Sequence, residues 1–145
     1  MVNCKLCKVP GGDLIWSDDS LRIVQVADQQ LPGFVRVIWT EHVSEMTDLS
    51  SADQWRLMKV VFGLEQLIRK QMEPTKVNLA SLGNQVSHLH WHIVPRFLDD
   101  PFFPDSIWSP RHRSTDEQVV AARRSLAAQL PNLIQQQAEG WLMLR

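Results

Sequence analysis

Three histidines alternate with apolar residues in the stretch Ser87-His88-Leu89-His90-Trp91-His92-Ile93-Val94-Pro95-Arg96. No other stretch restricts the chain so tightly. Successive side chains of an extended strand point to opposite faces. His88, His90 and His92 therefore share one face, while Leu89, Trp91 and Ile93 share the other and can anchor the strand in a core. Five histidines scattered at random over 145 residues would rarely stack three at period two on an apolar strand. The plain alternative is a row of solvated histidines on an exposed sheet face. Three imidazoles side by side repel if all are charged, so at least one is expected to be neutral and free to act as nucleophile, ligand or base. Two chemistries suit the row. One is a three-histidine metal site, since His-x-His on a strand presents two nitrogens to one ion. The other is attack by an imidazole on phosphorus, with its neighbours orienting it and stabilising charge. Spacing alone does not choose between them.

Around this stretch the chain reads as α+β. Leu14–Trp16, Leu21–Ala27 and Phe34–Trp39 are short runs rich in Val, Ile and Trp, separated by Gly11-Gly12, Asp18-Asp19 and Pro32-Gly33. At Ser50 the period changes: Ser50 with Asp53 resembles a capping box, and Leu57, Val61, Leu64 and Ile68 recur at helical spacing until Pro74. Val77–Ala80 returns to strand. A turn at Gly83 leads into a strand predicted over His88–Val94, which Pro95 closes. Residues 97–113, with Phe97, Phe102, Phe103 and Trp108 among prolines, read as a rigid aromatic covering loop. Ser114 with Glu117 then opens a helix that is interrupted at Pro131. Strands joined by tight turns favour an antiparallel sheet, here of about five strands, with the long helix and a C-terminal helix packed on it.

The length predicts one domain over residues 1–145. Net charge is −1 with the basic residues scattered, which argues against a nucleic-acid or membrane-surface partner, since both need concentrated positive charge. No apolar run reaches the roughly 18 residues of a membrane span, and the start lacks the apolar core of a signal peptide. The cytoplasm is the expected location. In that reducing setting Cys4 and Cys7 are thiols or metal ligands rather than a structural disulfide. Cys4-Lys5-Leu6-Cys7 has the spacing of a zinc half-site. The alternatives are a redox pair, which would want a strand before it and a helix after it, and two inert thiols. His112, between Arg111 and Arg113, reads as a surface loop residue.

The histidine stretch resembles the signature of the histidine-triad (HIT) family in its bacterial form: His-φ-His-φ-His-φ-φ, with φ apolar, followed by Pro95-Arg96. Asn78, Gly83, Asn84, Gln85 and Val86 resemble the segment that precedes the triad, and Pro32-Gly33 and His42 resemble the family's N-terminal half. The resemblance covers about residues 4–98 and thins out over the C-terminal loop and helix of 99–145. It implies the HIT-like fold and a nucleotide-phosphate hydrolase or nucleotidyl transferase acting at the α-phosphate of dinucleoside polyphosphates or nucleoside phosphoramidates.

Carried over by position, His90 would attack the α-phosphorus and form a covalent nucleotidyl-histidine. The backbone carbonyl of His88 would accept from its other ring nitrogen. His92 would donate to a phosphate oxygen or toward the leaving group. Asn84 and Gln85 would donate to the phosphates, Asn78 would support the turn or reach them, and Asp28 is the candidate for the ribose; the alternative for Asn84, Gln85 and Asp28 is a role within their own turns. The resemblance also implies a structural zinc held by Cys4, Cys7, His42 and His88, with no organic cofactor. The rivals are a three-histidine zinc hydrolase and a nucleotide-binding regulatory module without turnover. Many members place a histidine where this chain has Phe34, and Pro-Lys where it has Trp39-Thr40-Glu41, so the support for His92 must differ here. Members are commonly homodimers, and in some the C-terminus of one subunit approaches the other's site. The apolar segment Gly140–Arg145 is therefore expected to dock near an active site, its own subunit's core being the alternative.

Overall fold

In the computed structural model, which describes residues 3–144, the β-branched runs of the first third form three strands: β1 (Asp13–Ser17), β2 (Leu21–Gln25) and β3 (Val35–Trp39). Before them lies a single helical turn, α1 (Lys5–Lys8). After them come the long helix α2 (Ser51–Met72), strands β4 (Lys76–Ala80) and β5 (His90–Arg96), and helices α3 (Glu117–Ala127) and α4 (Leu130–Met143). The strands make one antiparallel sheet in the order β1-β2-β3-β5-β4, so the histidine strand sits between β3 and β4.

Ser50 caps α2, its hydroxyl accepting from the Asp53 backbone N–H at 3.1 Å. Pro74 disfavours the right-handed helical conformation for Glu73, which closes the helix in the left-handed region at φ 48°. The apolar stripe of α2 lies against one sheet face, where Leu57, Val61, Leu64 and Ile68 meet Val35, Val37, Trp39 and Ile93. Helix α4 joins the same layer through Leu130, Ile134, Ala138 and Trp141.

The opposite sheet face carries His90, His92, Arg36 and Ile38. It is covered only at its margins. Leu6 of α1 packs on Val24 and Ile38 at one side. On another, Leu31, Phe34 and Val94 cluster with Phe102 and Ile107 of the 97–113 loop. A cleft remains between these covers.

Strands β1 to β4 differ from the sequence reading by one or two residues at their ends, and the larger departures lie in β5, at the start of α3 and in the C-terminal segment. The strand expected at His88–Val94 runs His90–Arg96. Leu89 N–H bonds the Val43 carbonyl, outside the sheet, and the His88 carbonyl is taken by the ring of His90. Pro95 does not end the strand. The Leu89 carbonyl accepts from Trp39 of β3, so alternate residues including Pro95 face that side, and β3 pairing has already ended at Val35–Ile93. No ladder partner is left wanting the missing N–H. Helix α3 is capped not by Ser114 but by Asp116, whose carboxylate accepts from Gln118 and Val119. Lastly, Trp141 of the apolar end is buried in its own subunit's core, on the helix layer and away from the histidine face. Residues 130, 134, 138 and 141 form one helical stripe, which carries Trp141 inward. Arg145, expected to dock with this segment, lies outside the described residues.

Candidate active site

Each triad histidine has a different partner, and those partners set the tautomers. His90 is buried, with Nδ1 2.6 Å from the His88 carbonyl oxygen. A carbonyl can only accept, so Nδ1 carries the proton and Nε2 keeps its lone pair. Ser81 at the end of β4 donates its hydroxyl to the His90 carbonyl at 2.9 Å and pins the strand beside the ring.

His92 receives the opposite treatment. Arg36 lies directly across from it in the β3–β5 register and donates Nε–H to His92 Nδ1 at 3.3 Å. A guanidinium can only donate, so Nδ1 of His92 is the acceptor and the neutral ring presents Nε2–H. Burial, then the neighbouring His90 and Arg36, pull the pKa of His92 down to about 3. Burial and Arg36 also lower that of His90, against the pull of the His88 carbonyl. The two rings meet edge to face with centroids 4.8 Å apart. The Phe34 ring meets the edge of His92 at 5.7 Å and lies 5.4 Å from the Arg36 guanidinium. Trp108, from the 97–113 loop, flanks His92 at 4.9 Å.

His88 faces elsewhere. Its Nε2 donates to the Trp39 carbonyl at 2.6 Å, which leaves Nδ1 pointing at Cys4 Sγ (3.4 Å) and Cys7 Sγ (3.5 Å). Cys7 Sγ is also 3.4 Å from His42 Nδ1, and the four ligand atoms all lie within 4.8 Å of one another. Zn–S and Zn–N bonds of ordinary length meeting at a tetrahedral angle put S and N about 3.5 Å apart. The donor set and its spacing therefore fit a four-coordinate zinc. With four protein ligands such a site has no position for substrate. This arrangement contradicts a three-histidine metal centre: the first histidine turns its available nitrogen to the cysteines, and His90 and His92 do not join that cluster.

The cleft above His90 and His92 has a volume of about 680 Å³, within the range of small-molecule sites. Asn84 and Gln85 line it from the loop between β4 and β5, together with Leu82, Trp108 and Arg36. No carboxylate of the described residues lines it. Two sequence candidates stand outside it. Asn78 turns its Oδ1 to Arg96 Nη1 at 2.7 Å, because Arg96 is buried and needs acceptors. Asp28 folds Oδ1 back onto the backbone N–H groups of Gln30 and Leu31, an ordinary turn role. Its carboxylate is absent from the cleft lining. His112 is an exposed loop residue bonded to Asp105.

Sequence reasoning missed Arg36 and Ser81. Arg36 had a signal: it is the one charged residue inside the apolar run Phe34–Trp39, at the centre of a strand.

The family model described as HIT domain matches residues 10–99; Cys4 and Cys7 precede that range. The protein named "Protein hit" from Bacillus subtilis is 25% identical over 104 residues, spanning 66% of this chain and 72% of its own. A histidine triad protein from Marinobacter aquaeolei superposes with a TM-score of 0.68 at 24% identity, over 86% of this chain and 90% of that one. One from Bradyrhizobium japonicum does so with a TM-score of 0.64 at 23% identity, over 81% and 90%.

Proposed function

The chain belongs to the HIT domain family, and on that premise we propose that it is a nucleotide hydrolase or nucleotidyl transferase in which His90 attacks the α-phosphorus of a nucleotide conjugate. The observation that carries this reading is the opposed tautomer pair: His90 offers a bare Nε2, and His92, 4.8 Å away, offers an Nε2–H. A nucleophile beside a donor is what displacement at phosphorus requires.

In the first step His90 Nε2 bonds to the phosphorus and the bond to the leaving group breaks, its electron pair departing with the leaving oxygen or nitrogen. The imidazolium charge that forms on His90 is held by the His88 carbonyl at Nδ1. His92 donates toward the leaving atom. In the second step water, or another acceptor, displaces His90 and restores it. Asn84 and Gln85 supply donors to the phosphate oxygens from the cleft wall. Apolar Leu82 and Trp108 suit the nucleoside.

Cys4, Cys7, His42 and His88 hold a structural zinc in this reading. Its role is to tie the N-terminal turn to the residue whose carbonyl orients His90. The protein works as a homodimer in the cytoplasm. β4 is an edge strand with an unpaired side, and α2 exposes Trp55 and Phe62, 6.2 Å apart.

A panel of adenosine and guanosine conjugates, namely dinucleoside polyphosphates, phosphoramidates and nucleotide sugars, tests the reaction by release of the nucleoside monophosphate. Tight binding with the nucleotide intact after hours would leave the non-catalytic module instead.

A further inference from the structure

The geometry points to Arg36 as the residue that selects the leaving group, favouring substrates whose α-phosphorus is joined to another phosphate over those joined to an amine. This deepens the reading of His90 and His92 given above and rests on it. Four observations carry it.

The first is register. Across β3 from His90 stands apolar Ile38, and across from His92 stands Arg36. Positive charge is therefore placed at the His92 end of the pair, where the leaving group departs, and not opposite the nucleophile. The second is availability. Arg36 is half-buried, and its Nε is spent on His92 and its Nη1 on the Gly11 carbonyl at 3.0 Å. No carboxylate pairs with it among the described residues, and it lines the cleft, with its second terminal nitrogen bonded to no protein atom and open to a ligand. A half-buried guanidinium without a counter-ion is a ready partner for an anion. The third is mounting. Phe34 lies under the guanidinium at 5.4 Å. Gly11, at φ +86°, turns its carbonyl toward Arg36 in a space where a Cβ would come within 2.8 Å of Ile38 and Leu6. The fourth is composition of the cleft: Lys5 joins Arg36 in its lining and, among the described residues, no acid does.

The chemistry distinguishes two leaving groups. When an anhydride is attacked, the N–P bond to His90 forms, the bridging P–O bond breaks, and its electron pair leaves on a phosphate whose negative charge grows. Arg36 neutralises that charge while His92 Nε2–H bonds the bridging oxygen. A phosphoramidate instead expels a neutral amine once its nitrogen has taken up a proton. A fixed positive charge does nothing for that departure.

The test compares wild type, Arg36→Met and Arg36→Lys on two substrates with the same α-phosphoryl nucleoside: a dinucleoside tetraphosphate and the nucleoside 5′-phosphoramidate, each in adenosine and guanosine series. Wild type should favour the anhydride by at least about tenfold in kcat/KM. Arg36→Met should lose about 100-fold more on the anhydride than on the phosphoramidate, the size of one charge-assisted hydrogen bond, while a loss common to both substrates reports the hydrogen bond that Arg36 gives His92. Arg36→Lys should recover part of the anhydride rate. Because the reading is a ratio within one protein preparation, partial unfolding cancels. If Arg36→Met does not fold, Arg36→Lys and the wild-type preference decide alone. Equal losses on both substrates, or a wild type that prefers the phosphoramidate, would overturn the assignment while leaving His90 in place. Turnover of neither substrate by the wild type would overturn the reading of the site and this inference with it.

Discussion

His90 can present Nε2 because its Nδ1 proton is held at 2.6 Å by the carbonyl two residues earlier. A backbone acceptor cannot itself be lost by mutation of a side chain. His90→Ala should therefore remove at least about a thousandfold of turnover, with folding and nucleotide binding kept, as measured by steady-state assay and ligand titration. Activity within tenfold of wild type would exclude His90 as nucleophile. His92 offers a pH test. Its pKa falls from 6.5 when unfolded to about 3 when folded, so between those values the unfolded chain binds more protons. Stability from this residue is full above pH 6.5 and is lost as pH falls toward 3. Nitrogen-15 NMR should show the His92 ring neutral at pH 5, with Nδ1 bare; protonation near pH 6 would contradict its burial beside Arg36. The triad's alternation was legible from residue spacing alone, since period two leaves little freedom. The partners of His92 were not, because Phe34 and Arg36 reach it only through the β3–β5 register, a long-range pairing that local pattern does not encode.

At the scale of elements, the 97–113 loop hangs on one buried ion pair. Arg96 donates Nε and Nη2 to Asp100 at 2.8 and 3.1 Å, and Asp100 also accepts from the backbone N–H groups of Phe97, Phe102 and Phe103. Burial pushes this carboxyl up, but Arg96 and those N–H groups outweigh it and hold it below 3.8. Its stabilisation is thus present above the unfolded value and lost as pH drops below it. Asp100→Asn should cost about 3–5 kcal/mol in urea denaturation, because Arg96 stays buried without its counter-charge. It should also raise KM, since the loop carries Trp108 to the cleft. An unchanged KM would detach the loop from substrate binding. The four zinc candidates join the α1 turn, the segment after β3 and the segment that leads into β5. Elemental analysis should find one zinc per chain, and chelation should lower Tm more than it lowers kcat; metal absent from reduced, zinc-supplemented protein would leave two plain thiols. Helix α2 was legible to its ends because Ser50 and Pro74 punctuate it locally. The start of β5 was not, because the neighbours of His88 and Leu89 are distant in sequence.

For the molecule as a whole, the apolar C-terminal segment divides, with Trp141 buried and Met143 and Leu144 exposed. The sequence reading sent it toward an active site, whereas Trp141 seals the α2–α4 contact of its own subunit over Gly63. A Cβ at Gly63 would lie 2.3 Å from the indole. Gly63→Ala should cost about 1–3 kcal/mol through overpacking, and removing residues 141–145 should cost stability while leaving substrate preference unchanged. A shifted preference after that truncation would restore the tail to the site. The dimer is checked separately by light scattering at micromolar concentration, where a monomer mass would refute it. The layered α+β plan was legible because helical and strand periods divide the chain cleanly. The burial of Trp141 in its own subunit was not, since an apolar chain end does not declare which of its residues enter which core.

The central claim is a covalent nucleotidyl-histidine on His90, and the most direct measurement is rapid quench with substrate labelled at the α-phosphate. Within the first turnover, wild-type protein should carry label in an acid-labile, base-stable adduct that maps to His90 and disappears as product forms. Product forming at the full rate with no labelled protein at any time would show direct attack by water, and would contradict the mechanism.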